Sequence, residues 1–318
     1  MPTNKSINRM FLVTVALYIG ASMLISRVLT VNLPTIAALL ISQALILLPA
    51  VCYCLWKRVP LRELIPFRRM KFSVWILVIV CTYLMYPLLI VLNALTLFFV
   101  DSGTTELLGI TQGNFLLSVL LIALLPACVE EFMFRGMLFG TYRRSRMLPA
   151  IFLSAFLFGC MQMNFNQFLY AFMLGIYMAF LVEATGSILS SVLAHFTINF
   201  TGTVMSYLLP KIMESLGQAG DAVRLREQMN MGTGSFLHTM DQNSLIFMAV
   251  GLIIWGIIAL GTTAGAVGIY IAIARISGRM EHIKRMMRQG TRERIFSISL
   301  LLAILLMAAM MALPIIFG

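Results

Sequence analysis

The sequence predicts an all-α fold, a polytopic transmembrane helical bundle of about 8–9 spans. Three observations carry that prediction. Hydrophobic residues make up 60% of the 318 positions and charged residues only 11%, where a soluble domain carries about 25% charge. Apolar stretches of about 18 residues or more recur along the whole chain. These stretches are continuous and do not alternate, which argues against a transmembrane β-barrel.

Taken in order, spans are expected at roughly 10–30, 34–56, 73–99, 114–140, 148–162, 167–183, 187–209, 244–275 and 295–317. The first follows Lys5 and Arg9. It runs too long for a secretory signal peptide and lacks a small-residue cleavage site, so it reads as a retained anchor. The fifth and sixth are short, as suits a thinned or water-filled region beside a charged site. Basic residues fill three loops: Lys57, Arg58, Arg62, Arg68, Arg69 and Lys71 in one; Arg143, Arg144 and Arg146 in the next; Arg275, Arg279, Lys284, Arg285, Arg288, Arg292 and Arg294 in the last. A cytoplasmic N-terminus puts all three on the cytoplasmic side and leaves 100–113, which has no Lys or Arg, outside. The loop at 210–243 is then external, with mixed charge. The net charge of +11 therefore marks membrane topology, and no nucleic-acid partner is expected. By motif content the chain divides into N-terminal spans at 1–113, a core at 114–203, and an external loop with C-terminal spans at 204–318. Gly251, Gly256, Gly261, Gly265 and Gly268 are expected to allow close helix packing. The five cysteines, Cys52, Cys54, Cys81, Cys128 and Cys160, show no zinc-finger spacing and read as buried free thiols.

The fourth span contains "PACVEEFMFRG". A central charge there costs about 2.5–3.5 kcal/mol on insertion scales, so each must be paired or face a wet interior. Glu131 and Arg135 are spaced i, i+4 with the acid N-terminal, the favourable order for a pair. Glu130 projects about 100° away from Glu131 around the helix and is left over. Pro126 removes a backbone hydrogen bond just upstream and is expected to open the helix. A structural polar cluster, or a transporter's proton relay, accounts for this span alone as well as catalysis does. Two later spans add Gln162, one turn after Phe158, and His195, one turn before Asn199. His195 is the only histidine in a span; His238 and His282 fall in expected loops. At about 1.5 Å per residue, Glu130, Gln162 and His195 stand roughly 14–21 Å from the cytoplasmic ends of their helices. Glu183 reads as a solvated helix end.

In order along the chain, "EEFMFRG", "FGCMQ" and "HFTIN" fit Glu-Glu-x-x-x-Arg, a Phe-x-x-x-His motif ending in Gln, and His-x-x-x-Asn. With "RGMLFGTYRR" and "EATGSILSSVLAHFTINF", they make residues 114–203 resemble the CPBP intramembrane metalloprotease family. That family comprises CAAX prenyl endopeptidases and bacteriocin-processing and immunity ("Abi") proteins. The resemblance implies an intramembrane endopeptidase. Glu130 would activate water, and Glu131 and Arg135 would support it. His195 and Asn199 would polarise the carbonyl and stabilise the oxyanion, or His195 would hold a divalent metal such as zinc. A metal-free reading stays open. Amide hydrolysis requires such a base, polariser and oxyanion donor set.

Position 162 departs from the pattern. Glutamine does not titrate near neutral pH and is a poor zinc ligand. A silent relative acting in peptide binding, immunity or scaffolding is therefore the alternative, and a transporter the third. The expected partners are the lipid bilayer and a membrane-tethered peptide or prenylated protein. The expected location is the plasma membrane, with the N-terminus in the cytoplasm.

Overall fold

The computed structural model describes residues 1–25, 34–97, 114–217, 242–288 and 293–317. Expected features at 26–33, 98–113, 218–241 and 289–292, including His238 and Arg292, lie outside the described residues. Eleven helices are formed among those described: α1 (Asn4–Met23), α2 (Thr35–Lys57), α3 (Leu61–Leu64), α4 (Phe72–Leu97), α5 (Phe115–Tyr142), α6 (Met147–Met161), α7 (Phe165–Thr185), α8 (Leu189–Ser215), α9 (Gln242–Ile276), α10 (Met280–Arg288) and α11 (Ile298–Phe317). The one extended pairing among them is an antiparallel bridge between Phe67 and Ser187. The protein is an all-α polytopic bundle. Seven helices are long and apolar enough to cross a membrane, and α6 and α11 are shorter apolar helices. Leu, Ile, Val and Phe side chains stand exposed along the outer faces, where a bilayer takes the place of water.

Local chemistry sets several boundaries. Thr3 and Ser6 form a reciprocal capping box that starts α1 at Asn4, six residues earlier than its apolar run. The early turn is retained because its amides are satisfied: Asn4 Nδ2 donates to Ser145 Oγ at 2.8 Å and Asn8 Nδ2 to the Ile295 carbonyl at 2.8 Å. Asn164 caps α7 through its side chain, and Gly186, at φ 70°, ends it in the left-handed region that glycine tolerates. At 21 residues α7 is of full spanning length, which corrects the expected short sixth span. The fifth, α6, is short at 15 residues.

One end of the bundle gathers the basic loops. Arg68 N–H donates to Gly186 O at 3.1 Å, and Ile188 N–H to Pro66 O at 2.8 Å. The Arg68 guanidinium reaches Ser277 O at 3.2 Å. Arg143 Nη1 reaches Glu183 at 2.6 Å. Helix α3 lies against α5 at the same end, where a Cβ on Gly140 would stand 3.0 Å from Leu64 O.

Three expectations change. Cys54, Cys81 and Cys160 are buried, but Cys52 and Cys128 are exposed on the outside of the apolar bundle. Helix α9 packs on α4 and buries Ala259, Ala266 and Ile273, while Gly251, Gly256, Gly261 and Gly268 have nothing within 4 Å of a built Cβ. Of the five glycines only Gly265, whose built Cβ would stand 3.5 Å from Leu84 Cδ1 on α4, meets another helix among the described residues. His282 lies on the short helix α10 and not in a loop.

Candidate active site

The charged segment sits where α5 changes its winding. Around Pro126, which has no N–H to offer the preceding turn, Val119–Leu124 is π-wound, and Leu125 N–H donates to Leu120 O. A second π-wound stretch, Phe132–Phe139, follows the two glutamates and carries Arg135. Such wider turns recur at functional sites. The helix is thus rewound rather than opened, as the sequence had led us to expect.

Glu131 and Arg135 are both fully buried, and Arg135 Nη1 donates to Glu131 Oε1 at 2.9 Å. The same oxygen lies 3.0 Å from His195 Nδ1, reached from α8. One carboxylate oxygen thus ties two helices together and holds the imidazole by its Nδ1 edge, leaving Nε2 as the ring's free nitrogen. Phe158, from α6, packs edge-on to His195 at 5.7 Å between ring centroids and lies 4.5 Å beneath the Arg135 guanidinium. A cation over an aromatic face is favourable where water is excluded. The room for Arg135 comes from Gly175 on α7: a Cβ there would stand 2.8 Å from Ala155 Cα and 3.1 Å from Arg135 Nη2. Among the described residues Arg135 Nε and Nη2, and Glu131 Oε2, have no hydrogen-bond partner.

Glu130 is half-buried and makes no hydrogen bond to that cluster among the described residues, although His195, Arg135 and Glu131 stand within electrostatic reach of its carboxylate. Its one hydrogen-bond partner among the described residues is Gln43 Nε2, on α2, at 3.4 Å. Tyr18 on α1 and Tyr170 on α7 stand within electrostatic reach of its carboxylate. The two glutamates therefore occupy different settings: Glu131 is bonded directly to Arg135 and His195, whereas Glu130 touches an amide and feels His195, Arg135 and two phenols only at longer range.

The remaining motif residues join less closely. Gln162 caps the C-terminus of α6 and is half-buried. Asn199 lies one turn after His195 and offers its carbonyl to Thr203. Neither side chain hydrogen-bonds to Glu130, Glu131, Arg135 or His195 among the described residues. Glu183 is not a solvated helix end. It is fully buried, and it accepts from Arg143 at 2.6 Å and from Arg279 at 3.3 Å, with His282 Nε2 also 3.3 Å away. Its setting at the basic end makes it an anchor for three segments, separate from the α5 charges.

This geometry meets a family comparison. Residues 112–201, less than a third of the chain, match the model of the Rce1-like type II CAAX prenyl endopeptidases. Over that segment the chain is similar to the CAAX prenyl endopeptidases. No curated protein matches the chain, and no solved structure does.

The matched segment contains α5, α6, α7 and about half of α8, hence every charge of the candidate site, but not Gln43. The donor set does not fit a three-ligand metal site. Glu131 Oε1 is already shared by Arg135 and His195; its unpartnered Oε2 does not converge with Glu130 and His195 into a ligand group among the described residues, and position 162 supplies an amide. Among the described residues no three His, Cys, Asp or Glu side chains stand where they could hold a metal ion. Sequence reasoning missed Gln43 and Gly175 altogether. The signal for Gln43 was present, a lone amide in the apolar stretch 35–56. Gly175 carried none, because its role depends on what crosses it.

Proposed function

We propose that the chain is an intramembrane endopeptidase that hydrolyses a peptide bond in a membrane-tethered peptide or prenylated protein. The observation that supports this best is the unequal use of the two adjacent glutamates. Glu131 is consumed by Arg135 and His195 at 2.9 and 3.0 Å, whereas Glu130 faces an amide and remains available as a base. In this reading Glu130 takes a proton from water as the water oxygen bonds to the carbonyl carbon. The carbonyl π pair moves onto oxygen. His195 Nε2, in its protonated form, and the Asn199 amide donate to that oxyanion. The proton held by Glu130 then passes to the leaving nitrogen as the C–N bond breaks. Arg135 and Glu131 keep the imidazole in place throughout. No metal enters any step. The proposed setting is the plasma membrane, with the basic end and the N-terminus in the cytoplasm.

The test uses the full-length protein in nanodiscs and a panel of membrane-tethered peptides. Glu130→Gln preserves shape and removes the base, so turnover is expected to fall by about 10²-fold or more, with unchanged thermal stability. Near-native cleavage by that variant overturns the assignment. One observation favours a second reading, a silent relative that binds peptides: Gln162 stands where the family motif has histidine. That reading predicts binding of tethered peptides without cleavage by the native chain.

A further inference from the structure

The side chain that touches Glu130 comes from outside the family-matched segment. The buried stripe of α2 runs Gln43, Ile46, Ala50, Tyr53, Cys54, at helical spacing. Its register is pinned at the far end by Tyr53 Oη, 2.7 Å from Ser6 Oγ, and by Cys54 Sγ, 3.5 Å from Met137 Sδ on α5. A leucine at position 43 would continue the apolar stripe without penalty. Instead the chain places an amide there, 8% exposed, with Nε2 donating to Glu130 and Oε1 lacking any protein partner. A buried acceptor left unpaired is costly in an apolar setting. A donor engaged by the base, beside an unengaged acceptor, is the complement of a water molecule bound to that base.

We infer that Gln43 is a further catalytic residue, which holds the attacking water on Glu130. The inference rests on the endopeptidase reading above. The water donates one hydrogen to Glu130 and the other to Gln43 Oε1, which turns a lone pair toward the substrate carbonyl. On attack the first proton moves to Glu130. The O–C bond forms, the carbonyl π pair goes to oxygen, and Gln43 stays neutral because an amide takes no proton. The 3.4 Å contact is long, as such contacts commonly are before substrate is bound. The arrangement also gives Gln162 less to do. With an amide from α2 orienting the water, the site does not depend on an imidazole at position 162 for that purpose.

The experiment compares the native full-length chain, E130Q, Q43M and Q43N in the same nanodiscs with one tethered peptide, measuring kcat, KM and melting temperature. Methionine matches glutamine in length and suits an apolar stripe, but removes both hydrogen-bonding atoms. Asparagine keeps the amide and its polarity, yet withdraws it by one methylene, so it reads the same point should the methionine chain fold poorly. The expected result is a kcat reduced about 10-fold or more for Q43M and by less for Q43N, with KM and melting temperature held. A merely structural amide would move melting temperature and KM instead. Native kcat in both Gln43 variants, or losses tracking melting temperature, overturns the inference while E130Q still tests the endopeptidase reading on its own. A native chain that cleaves no peptide overturns both.

Discussion

Glu131 spends one oxygen on two partners, Arg135 at 2.9 Å and His195 at 3.0 Å, with no solvent exposure at the carboxylate. Removing a single partner leaves a buried charge unpaired, a loss of about 3–5 kcal/mol. Glu131→Gln and Arg135→Met should each lower melting temperature and the yield of folded protein. The double variant should lose less than the sum, because neither charge is then stranded. Additive losses would show that the two side chains do not act as a unit. Gln162 yields a different expectation. Gln162→His roughly conserves volume and offers a third donor beside Glu130 and His195, so cleavage should rise and zinc retained after dialysis should increase. If neither changes while Glu130→Gln abolishes activity, position 162 does not belong to the site.

Helix packing sets what these residues can do. Helices α6 and α7 approach closely because Gly175 has no Cβ, and the same gap admits Arg135 Nη2. Gly175→Ala places a methyl 2.8 Å from Ala155 Cα, and the helices must part. The expected cost is about 1–3 kcal/mol in stability. Activity should fall with it, since Arg135 and Phe158 shift together beneath His195. A variant with native melting temperature and native turnover would mean that the crossing is looser than described. At the basic end, Glu183 holds Arg143, Arg279 and His282, joining α7 to the turn after α5 and to α10. Its three partners are partly exposed, so solvent screening reduces what Glu183→Gln costs to about 1–3 kcal/mol. Hydrogen exchange should rise in α10 before it rises in α5. Uniform exchange would show that Glu183 is not a local anchor.

Across the whole molecule, the contacts of Arg68 with Gly186 and Ser277, of Asn4 with Ser145 and of Arg143 with Glu183 collect the N-terminus and the basic loops at one end. In the orientation proposed above, which follows the positive-inside rule, that end is cytoplasmic. In a background without the native cysteines, Lys71→Cys, Arg144→Cys and Lys284→Cys should resist an impermeant thiol reagent in intact cells and react in inverted vesicles. Labelling of any one of them from outside would break the proposed orientation.

The polytopic helical fold, the order of its apolar helices and the Glu131–Arg135 spacing were legible in the chain because each is a local property, although seven helices are of spanning length against the expected 8–9. A run of apolar residues, a charge between two runs, or an i, i+4 pair needs no knowledge of neighbouring helices. The α1 start at Asn4 was not legible, since its amides are satisfied by residues about 140 and 290 positions away. Nor was the bond from His195 to Glu131, the amide of Gln43 on Glu130, or the gathering of Arg143, Arg279 and His282 on Glu183. Those depend on which face each helix turns inward. In a membrane, lipid and core are both apolar, so hydropathy does not mark the inward face as it does in water. The sequence alone determined that these helices span and that α5 carries charge; only packing decided which carboxylate is tied down and which stays free to act as a base.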